Sequence, residues 1–211
     1  MTEYSVIYKP TQRKKTMVRQ SSPEKRAQFL KSALKLFVQN GVQQTSTAEI
    51  TADAGTATGT LFLYFPTKQA LVDELILNIG REQSEYINAR LQPSLPARET
   101  FLAIWQGSIR WFLEHMDAYK YFRQVKDSRL VSEAVTQESG KYFVYYFTTI
   151  QKGLAQGAIQ AYPVELIGEM LSQDLAGVMN LIERQPDASK QEEYIRLGFD
   201  LFWDGIKTAR D

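Results

Sequence analysis

The stretch of sequence that decides the fold is TATGTLFLYFPTKQAL, which runs from Thr56 to Leu71. Small residues come first, five bulky residues follow, and a proline then separates them from Thr67 and Lys68. Because the residue before a proline is disfavoured in the α region, Pro66 predicts the end of one helix, and Thr67 is a suitable N-cap for the next. We therefore expect a short helix, capped by Thr56, whose N-terminal end is small and polar.

Two further helices are predicted before this stretch. Ser22 followed by Pro23 is typical of a helix start, and apolar residues then recur at helical spacing until Gly41. These apolar residues are Phe29, Leu30, Ala33, Leu34, Phe37 and Val38. The sequence STAE at residues 46–49 has the spacing of a capping box, and the helix that it opens must end near Gly55.

Two short helices joined by a turn, with a longer helix before them, form a helix-turn-helix. Isolated helices of about two turns are marginal in water, so packing against the longer helix must hold them. The residues predicted to make this contact are Ile50, Ala54, Leu61 and Phe65, which pack on Phe29, Ala33 and Phe37.

That packing leaves Thr58, Gly59, Thr60 and Leu63 away from the core. A helix that enters the major groove of DNA needs small or hydrogen-bonding residues at its N-terminal end, where it comes closest to bases and phosphates. These residues therefore predict a DNA-binding surface, with a phosphate contact from Lys68. The alternative is a structural three-helix unit in which the glycine serves close packing.

Positive charge is concentrated in the first third of the chain. Residues 1–68 contain 10 Lys and Arg against 4 Asp and Glu, a balance of +6, whereas residues 69–211 contain 15 against 20, a balance of −5. A basic segment followed by an acidic remainder is typical of a nucleic-acid-binding unit joined to a different kind of domain.

The composition excludes several classes of protein. The chain has no cysteine and one histidine, which excludes disulfides, Cys–His catalysis and multi-histidine metal sites. It lacks a nucleophile elbow, a phosphate-binding loop and a dinucleotide fingerprint, so we expect no enzyme, no metal and no cofactor. No apolar run approaches the roughly 18 residues of a membrane span, and the N-terminus lacks the apolar core of a secretory signal. We expect a cytoplasmic protein without a membrane role.

The residues around the opening stretch match those of a known family. The matching positions are Phe37, Gly41, Thr45 to Thr47, Ile50, Ala54, Gly55, Gly59 to Phe62, Tyr64, Phe65, Lys68 and Leu71. Over about residues 22–72 the chain resembles the DNA-binding domain of TetR-type transcriptional regulators. The resemblance implies an all-α homodimer. Its N-terminal three-helix DNA-binding domain would contain the helix-turn-helix, and a larger C-terminal helical domain would bind an effector and carry the dimer interface.

The resemblance also assigns roles to individual residues. The positions that correspond to DNA contacts are Thr47, Ala57, Thr58, Gly59, Thr60, Leu63, Tyr64 and Lys68. Among them, Thr47 and Lys68 resemble phosphate contacts. Ala57 stands where a serine is common and Phe62 where a tyrosine is common, so we expect fewer phosphate contacts than in other members of the family.

We expect the chain to divide into three segments. Residues 1–21 form a basic N-terminal arm that is expected to be flexible, residues 22–68 form the DNA-binding domain, and residues 69–211 form the ligand-binding and dimerisation domain. The basic residues of the arm are Arg13, Lys14, Lys15 and Arg19. They either add phosphate contacts or belong to a solvated tail.

The last two predicted helices carry apolar stripes and are the candidates for the dimer interface. The first of them follows Pro163 and includes Leu166 and Met170, and the second includes Ile195 and Phe199. A two-fold dimer through these helices would contact two DNA half-sites together, as the family does. Packing within one chain is the alternative.

Aromatic residues of the larger domain are candidates to line a pocket for a small hydrophobic or aromatic effector, because such pockets are mostly apolar with a few placed polar groups. The aromatic candidates are Trp105, Phe112, Tyr119, Phe122, Tyr142, Tyr145 and Tyr146, and the polar candidates are Gln106, His115 and Gln173. Each of these residues taken singly is better explained as part of a hydrophobic core or as a structural polar group, and it is the group as a whole that indicates a pocket.

The sequence therefore predicts a ligand-responsive transcriptional regulator. The family resemblance implies a repressor that binds a palindromic operator in double-stranded DNA as a homodimer and is released by a small hydrophobic effector. The alternative is a helical ligand-binding or protein-interaction module without sequence-specific DNA binding.

Overall fold

A computed structural model describes residues 22–126, 128 and 130–209 of the chain. These residues form ten α-helices and a 3-10 helix, and they contain no β-strand, which confirms the predicted all-α class. The α-helices are α1 Pro23–Asn40, α2 Thr47–Asp53, α3 Thr58–Leu61, α4 Lys68–Asn88, α5 Ala97–Glu114, α6 Met116–Lys126, α7 Glu133–Ser139, α8 Val144–Ala155, α9 Val164–Glu183 and α10 Ala188–Ile206, and the 3-10 helix spans Gly140–Phe143. The predicted arm at residues 1–21 lies outside the described residues.

The predicted caps of the first two helices are present. The hydroxyl of Ser22 accepts a hydrogen bond from the backbone N–H of Lys25 at the start of α1. At the start of α2, the Ser46 hydroxyl accepts from the Glu49 N–H at 3.2 Å, and the Ser46 N–H donates to the Glu49 carboxylate at 2.7 Å. This reciprocal pair is the capping box that the sequence predicted.

The prediction that Thr56 caps the third helix is wrong. The N-cap of α3 is Ala57, whose methyl side chain cannot accept a hydrogen bond. Thr56 instead closes the end of α2, because both its N–H (2.9 Å) and its hydroxyl (3.4 Å) donate to the carbonyl of Thr51. The chain reverses between these residues at Gly55, whose φ of +62° is one that glycine adopts without strain.

The N-terminal helices share a hydrophobic cluster with the larger domain. Phe29 and Phe37 of α1 are fully buried in the same cluster as Ile50, Leu61 and Phe65, as predicted. The cluster also contains residues of α4 and α6, including Leu71, Leu75, Tyr121 and Val125. The predicted division between residues 68 and 69 therefore falls inside one continuous cluster.

Tyr121 joins α6 to both α1 and α4. Its ring stacks on that of Phe37 at a centroid distance of 6.0 Å, and its buried hydroxyl donates to the carbonyl of Val72 at 2.9 Å. We expect Tyr121→Phe to lower the free energy of unfolding by about 1 kcal/mol, because it removes one buried hydrogen bond and keeps the ring. Chemical denaturation of the two proteins measures this difference, and an unchanged midpoint would contradict it.

A second hydrophobic cluster holds the C-terminal helices together. It contains Trp105 of α5, Leu171 and Met179 of α9, and Phe199 and Phe202 of α10. The Trp105 indole stacks on Phe202 and donates from Nε1 to the carbonyl of Ile195 at 2.9 Å. The last two helices are thus fixed to α5 by both apolar packing and a buried hydrogen bond.

Among the residues that the structure describes, no helix is long and apolar enough to cross a membrane.

Candidate DNA-binding surface and ligand cavity

The outer side of the helix-turn-helix exposes the predicted DNA contacts. Ala57, Thr58 and Gly59 are exposed and Thr60 is half-buried. Leu63 is 73% exposed, an unusual position for a large apolar side chain beside a well-formed core. The structure thus brings these five residues together on one surface that no other part of the described chain covers.

Gly59 has no role in packing within the chain. Apart from Gly59 itself, its two neighbours in the chain and the backbone of its own helix, no atom of the described residues lies within 4 Å of the place that a Cβ atom at this position would occupy. Its φ is not positive either, so the backbone does not require glycine. This observation removes the reason for the alternative in which the glycine serves close packing of a purely structural unit.

Tyr64 and Thr47 lie beside the ends of helices. The hydroxyl of Tyr64 accepts a hydrogen bond from the backbone N–H of Ser22 at 3.1 Å, and its ring packs against Phe29 at a centroid distance of 5.5 Å. The hydroxyl keeps its own proton for a further acceptor. Thr47 is half-buried at the first position of α2. Both hydroxyls lie where a phosphate next to a helix N-terminus would be held.

Lys68 is positioned by the turn between α1 and α2. Its ammonium donates to the carbonyl of Gln43 at 3.2 Å and lies 6.0 Å from the centre of the Phe37 ring. Partial burial lowers the pKa of Lys68, and the nearby carboxylate of Glu49 opposes that shift. The side chain is therefore held close to the start of α2 rather than free in solvent.

Phe62 is an exposed residue of this surface that the sequence did not single out as a contact. It is the C-cap residue of α3 and is 45% exposed. The alternation of exposed Phe62 and Leu63 with half-buried Tyr64 and buried Phe65 follows from the turn that continues after α3, in which the Phe65 N–H donates to the Leu61 carbonyl at 2.9 Å. Only the tertiary packing distinguishes these neighbouring aromatic residues.

The larger domain contains a cavity of about 420 Å³ among α4, α5, α6, α8, α9 and the 3-10 helix. This volume lies in the range of pockets for small molecules. Four of the predicted effector residues line it: Phe112, Tyr119, Phe122 and Tyr146. The α9 side is mostly apolar and includes Val164, Leu175 and Met179.

Six predicted effector residues do not line this cavity. They are Trp105, Gln106, His115, Tyr142, Tyr145 and Gln173. Trp105 is fully buried in the C-terminal core, and Gln106 is half-buried on α5. The imidazole of His115 stacks on Trp111 at 4.3 Å.

The remaining three residues outside the lining are also held by neighbours. The Tyr142 carbonyl accepts from the Ser84 hydroxyl at 2.7 Å. The ring of Tyr145 is buried against Tyr146 at a centroid distance of 4.6 Å. The Gln173 amide donates to the Glu169 carboxylate at 2.6 Å. A stripe of aromatic residues at helical spacing is thus divided by the fold between core and cavity.

Two polar residues of the cavity were missed by the sequence interpretation. The hydroxyl of Ser108 lies 3.2 Å from that of Tyr146, and burial raises the pKa of Tyr146, so its phenol stays neutral. Gln83 of α4 is 5% exposed, and its Nε2 atom is buried without a hydrogen-bond partner. A buried donor without a partner costs about 1–3 kcal/mol. Nothing in the local sequence around Gln83 indicates burial, because α4 has other polar residues at similar spacing.

The charged residues of the cavity lining are acidic. Glu165 and Glu169 lie one turn apart on α9, and both are exposed. The Lys126 ammonium lies 3.9 Å from the Glu169 carboxylate and donates to the Ser172 hydroxyl at 2.8 Å, but it is not part of the lining. Across the described residues, no group of His, Cys, Asp and Glu is arranged to hold a metal ion.

The last two helices leave large apolar side chains exposed. These are Leu166, Met170 and Leu181 on α9 and Leu197 and Leu201 on α10. The spacing of the α9 residues places Leu166, Met170 and Leu181 on one side of that helix. Apolar groups of this number on neighbouring helices are typical of a surface that another protein covers.

Known proteins resemble this chain in both sequence and fold. The profile of the family described as bacterial regulatory proteins, tetR family, matches residues 29–75. The chain is 23% identical over 173 residues to the HTH-type transcriptional regulator YhgD of Bacillus subtilis (strain 168), an alignment that covers 81% of this chain and 91% of YhgD. It is 29% identical over 96 residues to the HTH-type transcriptional regulator LuxR of Vibrio harveyi, which covers 46% of this chain and 47% of LuxR.

A solved structure shares the whole described architecture. It is the crystal structure of a tetR family transcription regulator from Shewanella sp. PV-4, with a TM-score of 0.82 and 27% identity. The superposition covers 88% of this chain and 99% of that protein. The likeness therefore extends through the C-terminal helices, where the resemblance seen in the sequence was limited to length and helical content.

Proposed function

This chain belongs to the TetR family of transcriptional regulators, and we propose that it is a repressor that binds a palindromic operator as a homodimer and is released by a small hydrophobic effector. Its matches are transcription factors and not enzymes. The observation that carries the proposal is the uncovered surface of α3, where Gly59 has no packing role and Leu63 is exposed.

On this proposal, α3 enters the major groove. Thr58, Gly59 and Thr60 would come closest to the base edges, because they are the first residues of that helix. The exposed Leu63 side chain suits contact with the methyl group of a thymine. Tyr64, Thr47 and Lys68 would hold phosphates on either side of the groove and fix the orientation of the helix.

The exposed apolar residues of α9 and α10 support a two-fold dimer. A dimer would cover Leu166, Met170, Leu181, Leu197 and Leu201, and it would place two copies of α3 on successive major grooves. Half-sites in such an arrangement lie about 34–36 Å apart or at a multiple of that distance. The cavity supports the effector part of the proposal, since α4 both lines it and begins directly after the helix-turn-helix.

A double substitution tests the DNA-binding part. We expect Thr60→Ala with Lys68→Ala to lower operator affinity about 100-fold, because a dimer loses a groove contact and a phosphate contact at both half-sites. The slope of log affinity against log salt should also fall by about two, one for each lysine of the dimer. The operator is obtained first by selecting bound duplexes from random DNA.

The matched control is Lys190→Ala, which removes a positive charge from an exposed position at the start of α10. It should leave operator affinity within about twofold of the wild type, since it lies far from the proposed surface along the chain. Circular dichroism checks that the double variant keeps its helices. Full affinity in a folded double variant would refute the proposed surface.

A further inference from the structure

We propose that Gln83 recognises an uncharged polar atom of the effector, so that the cavity accepts neutral apolar molecules carrying a carbonyl or hydroxyl group and rejects carboxylates and ammonium ions. This inference names the ligand class of the cavity and therefore rests on the proposed function. On this proposal, Gln83 is the residue through which α4 contacts the ligand.

The first support is the state of the Gln83 side chain. It lines the cavity, it is only 5% exposed, and its Nε2 atom has no hydrogen-bond partner among the residues that the structure describes. Its neighbour on the same helix is satisfied, because the Ser84 hydroxyl donates to the Tyr142 carbonyl at 2.7 Å and accepts from the Asn88 amide at 3.0 Å. Gln83 is thus a buried amide in the cavity wall whose Nε2 donor is unused.

The second support is the charge of the lining. The described residues that line the cavity include two carboxylates, Glu165 and Glu169, and no lysine, arginine or histidine. An anionic ligand would therefore enter against like charges, and the adjacent ammonium of Lys126, which lies outside the lining, is already engaged by Glu169 and Ser172. Both carboxylates are exposed, whereas the buried polar side chains of the lining, Gln83, Ser108 and Tyr119, are neutral, so an ammonium ion buried beside Gln83 would also lack a compensating charge.

The third support is the position of Gln83 on α4. The residue lies 15 positions after Lys68, which begins the helix and belongs to the proposed DNA-binding surface. At a rise of 1.5 Å per residue this is about 22 Å along one continuous helix. The 3-10 helix also connects the cavity to α4, because Phe143 lines the cavity and packs near Gly80. A hydrogen bond from Gln83 to a ligand would thus act directly on the helix that carries α3.

A matched series of ligands tests the charge selectivity. We would measure how 2-nonanone, nonanoate and nonylammonium, each with nine carbons, displace the apolar dye N-phenyl-1-naphthylamine from the full chain. We expect 2-nonanone to bind at least about tenfold more tightly than either ion, because burying an uncompensated charge costs far more than burying a ketone. Failure of 2-nonanone to displace the dye, or tighter binding of either ion, would overturn the proposal.

The variant Gln83→Leu tests the residue itself. It keeps a similar volume and removes the amide, so we expect the affinity for 2-nonanone to fall about five- to tenfold while the affinity for the dye stays within twofold. Unchanged affinity for 2-nonanone would show that Gln83 does not contact the ligand. Ser84→Ala is the matched control, since its hydroxyl is already bonded within the protein and should not alter the selectivity among the three ligands.

Operator binding separates this inference from the proposed function. Without ligand, Gln83→Leu should bind the selected operator as the wild type does, and 2-nonanone should release the wild type at lower concentration than the variant. If no DNA sequence is selected but the ketone preference and its loss in Gln83→Leu are found, the proposed function fails and the ligand assignment stands.

Discussion

Replacing Leu201 by glutamate is expected to convert the protein into a monomer and to lower its operator affinity about 10²–10⁴-fold. Leu201 lies on α10 and is 77% exposed, the largest exposure among the large hydrophobic residues of the described chain. A charge within the proposed apolar dimer interface would have to be buried without a partner. Each monomer would then bind one half-site alone, and the gain from linking two binding events would be lost.

Two measurements check this prediction. Analytical ultracentrifugation gives the oligomeric state, and titration of the selected operator gives the affinity. The control is Val144→Glu, which adds the same charge at a residue that is 52% exposed on α8, away from α9 and α10 along the chain. That variant should stay dimeric. A dimeric Leu201→Glu protein with full operator affinity would show that the exposed face of α9 and α10 is not the dimer interface.

Replacing Gly198 by alanine is expected to lower the free energy of unfolding by about 1–3 kcal/mol, even though alanine is the better helix former. An added Cβ would overlap Cγ2 of Val178 and would lie 2.9 Å from Cζ2 of Trp105. The Trp105 ring is fully buried and bonded to Ile195, so it has little freedom to move away. The methyl group would therefore force α10 away from α9 and α5.

The same substitution at Gly205 is the matched control. Gly205 lies on the same helix, and no atom lies within 4 Å of its Cβ position. Here alanine should stabilise the protein by up to about 1 kcal/mol through helix propensity alone. Chemical denaturation at one fixed protein concentration measures both variants, because the stability of a dimer depends on concentration. Equal stabilities for the two alanine variants would mean that Gly198 does not set the distance between the helices.

The proposed mechanism depends on α4 being shared by the two parts of the molecule. Leu71 and Leu75 near its start are buried with the residues of the helix-turn-helix, and Gln83 further along lines the cavity. The salt bridge between Arg26 and Glu74, at 2.8 Å, adds a contact between α1 and α4. A ligand that shifts α4 would therefore move the helix-turn-helix with it, and the spacing of the two α3 helices in a dimer would change. By linkage, operator DNA would weaken ligand binding by the same factor by which the ligand weakens DNA binding.

The sequence by itself determined the class of the fold, the positions of the first helices and the resemblance to TetR-type regulators. Ser22, Ser46 and Thr67 are caps whose hydrogen bonds join residues three positions apart, so the local sequence contains both partners. The buried face of α1 follows from the helical spacing of its apolar residues in the same way. The exposed residues around α3 were predicted as the positions of that helix that do not pack against α1.

Only the tertiary structure decided which residues line the cavity, how Thr56 is used and where the two domains meet. Trp105 and Phe112 lie seven positions apart on the same side of α5, yet Phe112 lines the cavity and Trp105 is enclosed by α9 and α10. Gln83 lines the cavity together with residues of α9, which lie more than 80 positions further along the chain. Helical periodicity reports which face of a helix is apolar, but the distance between packed helices determines whether that face meets a core or a cavity.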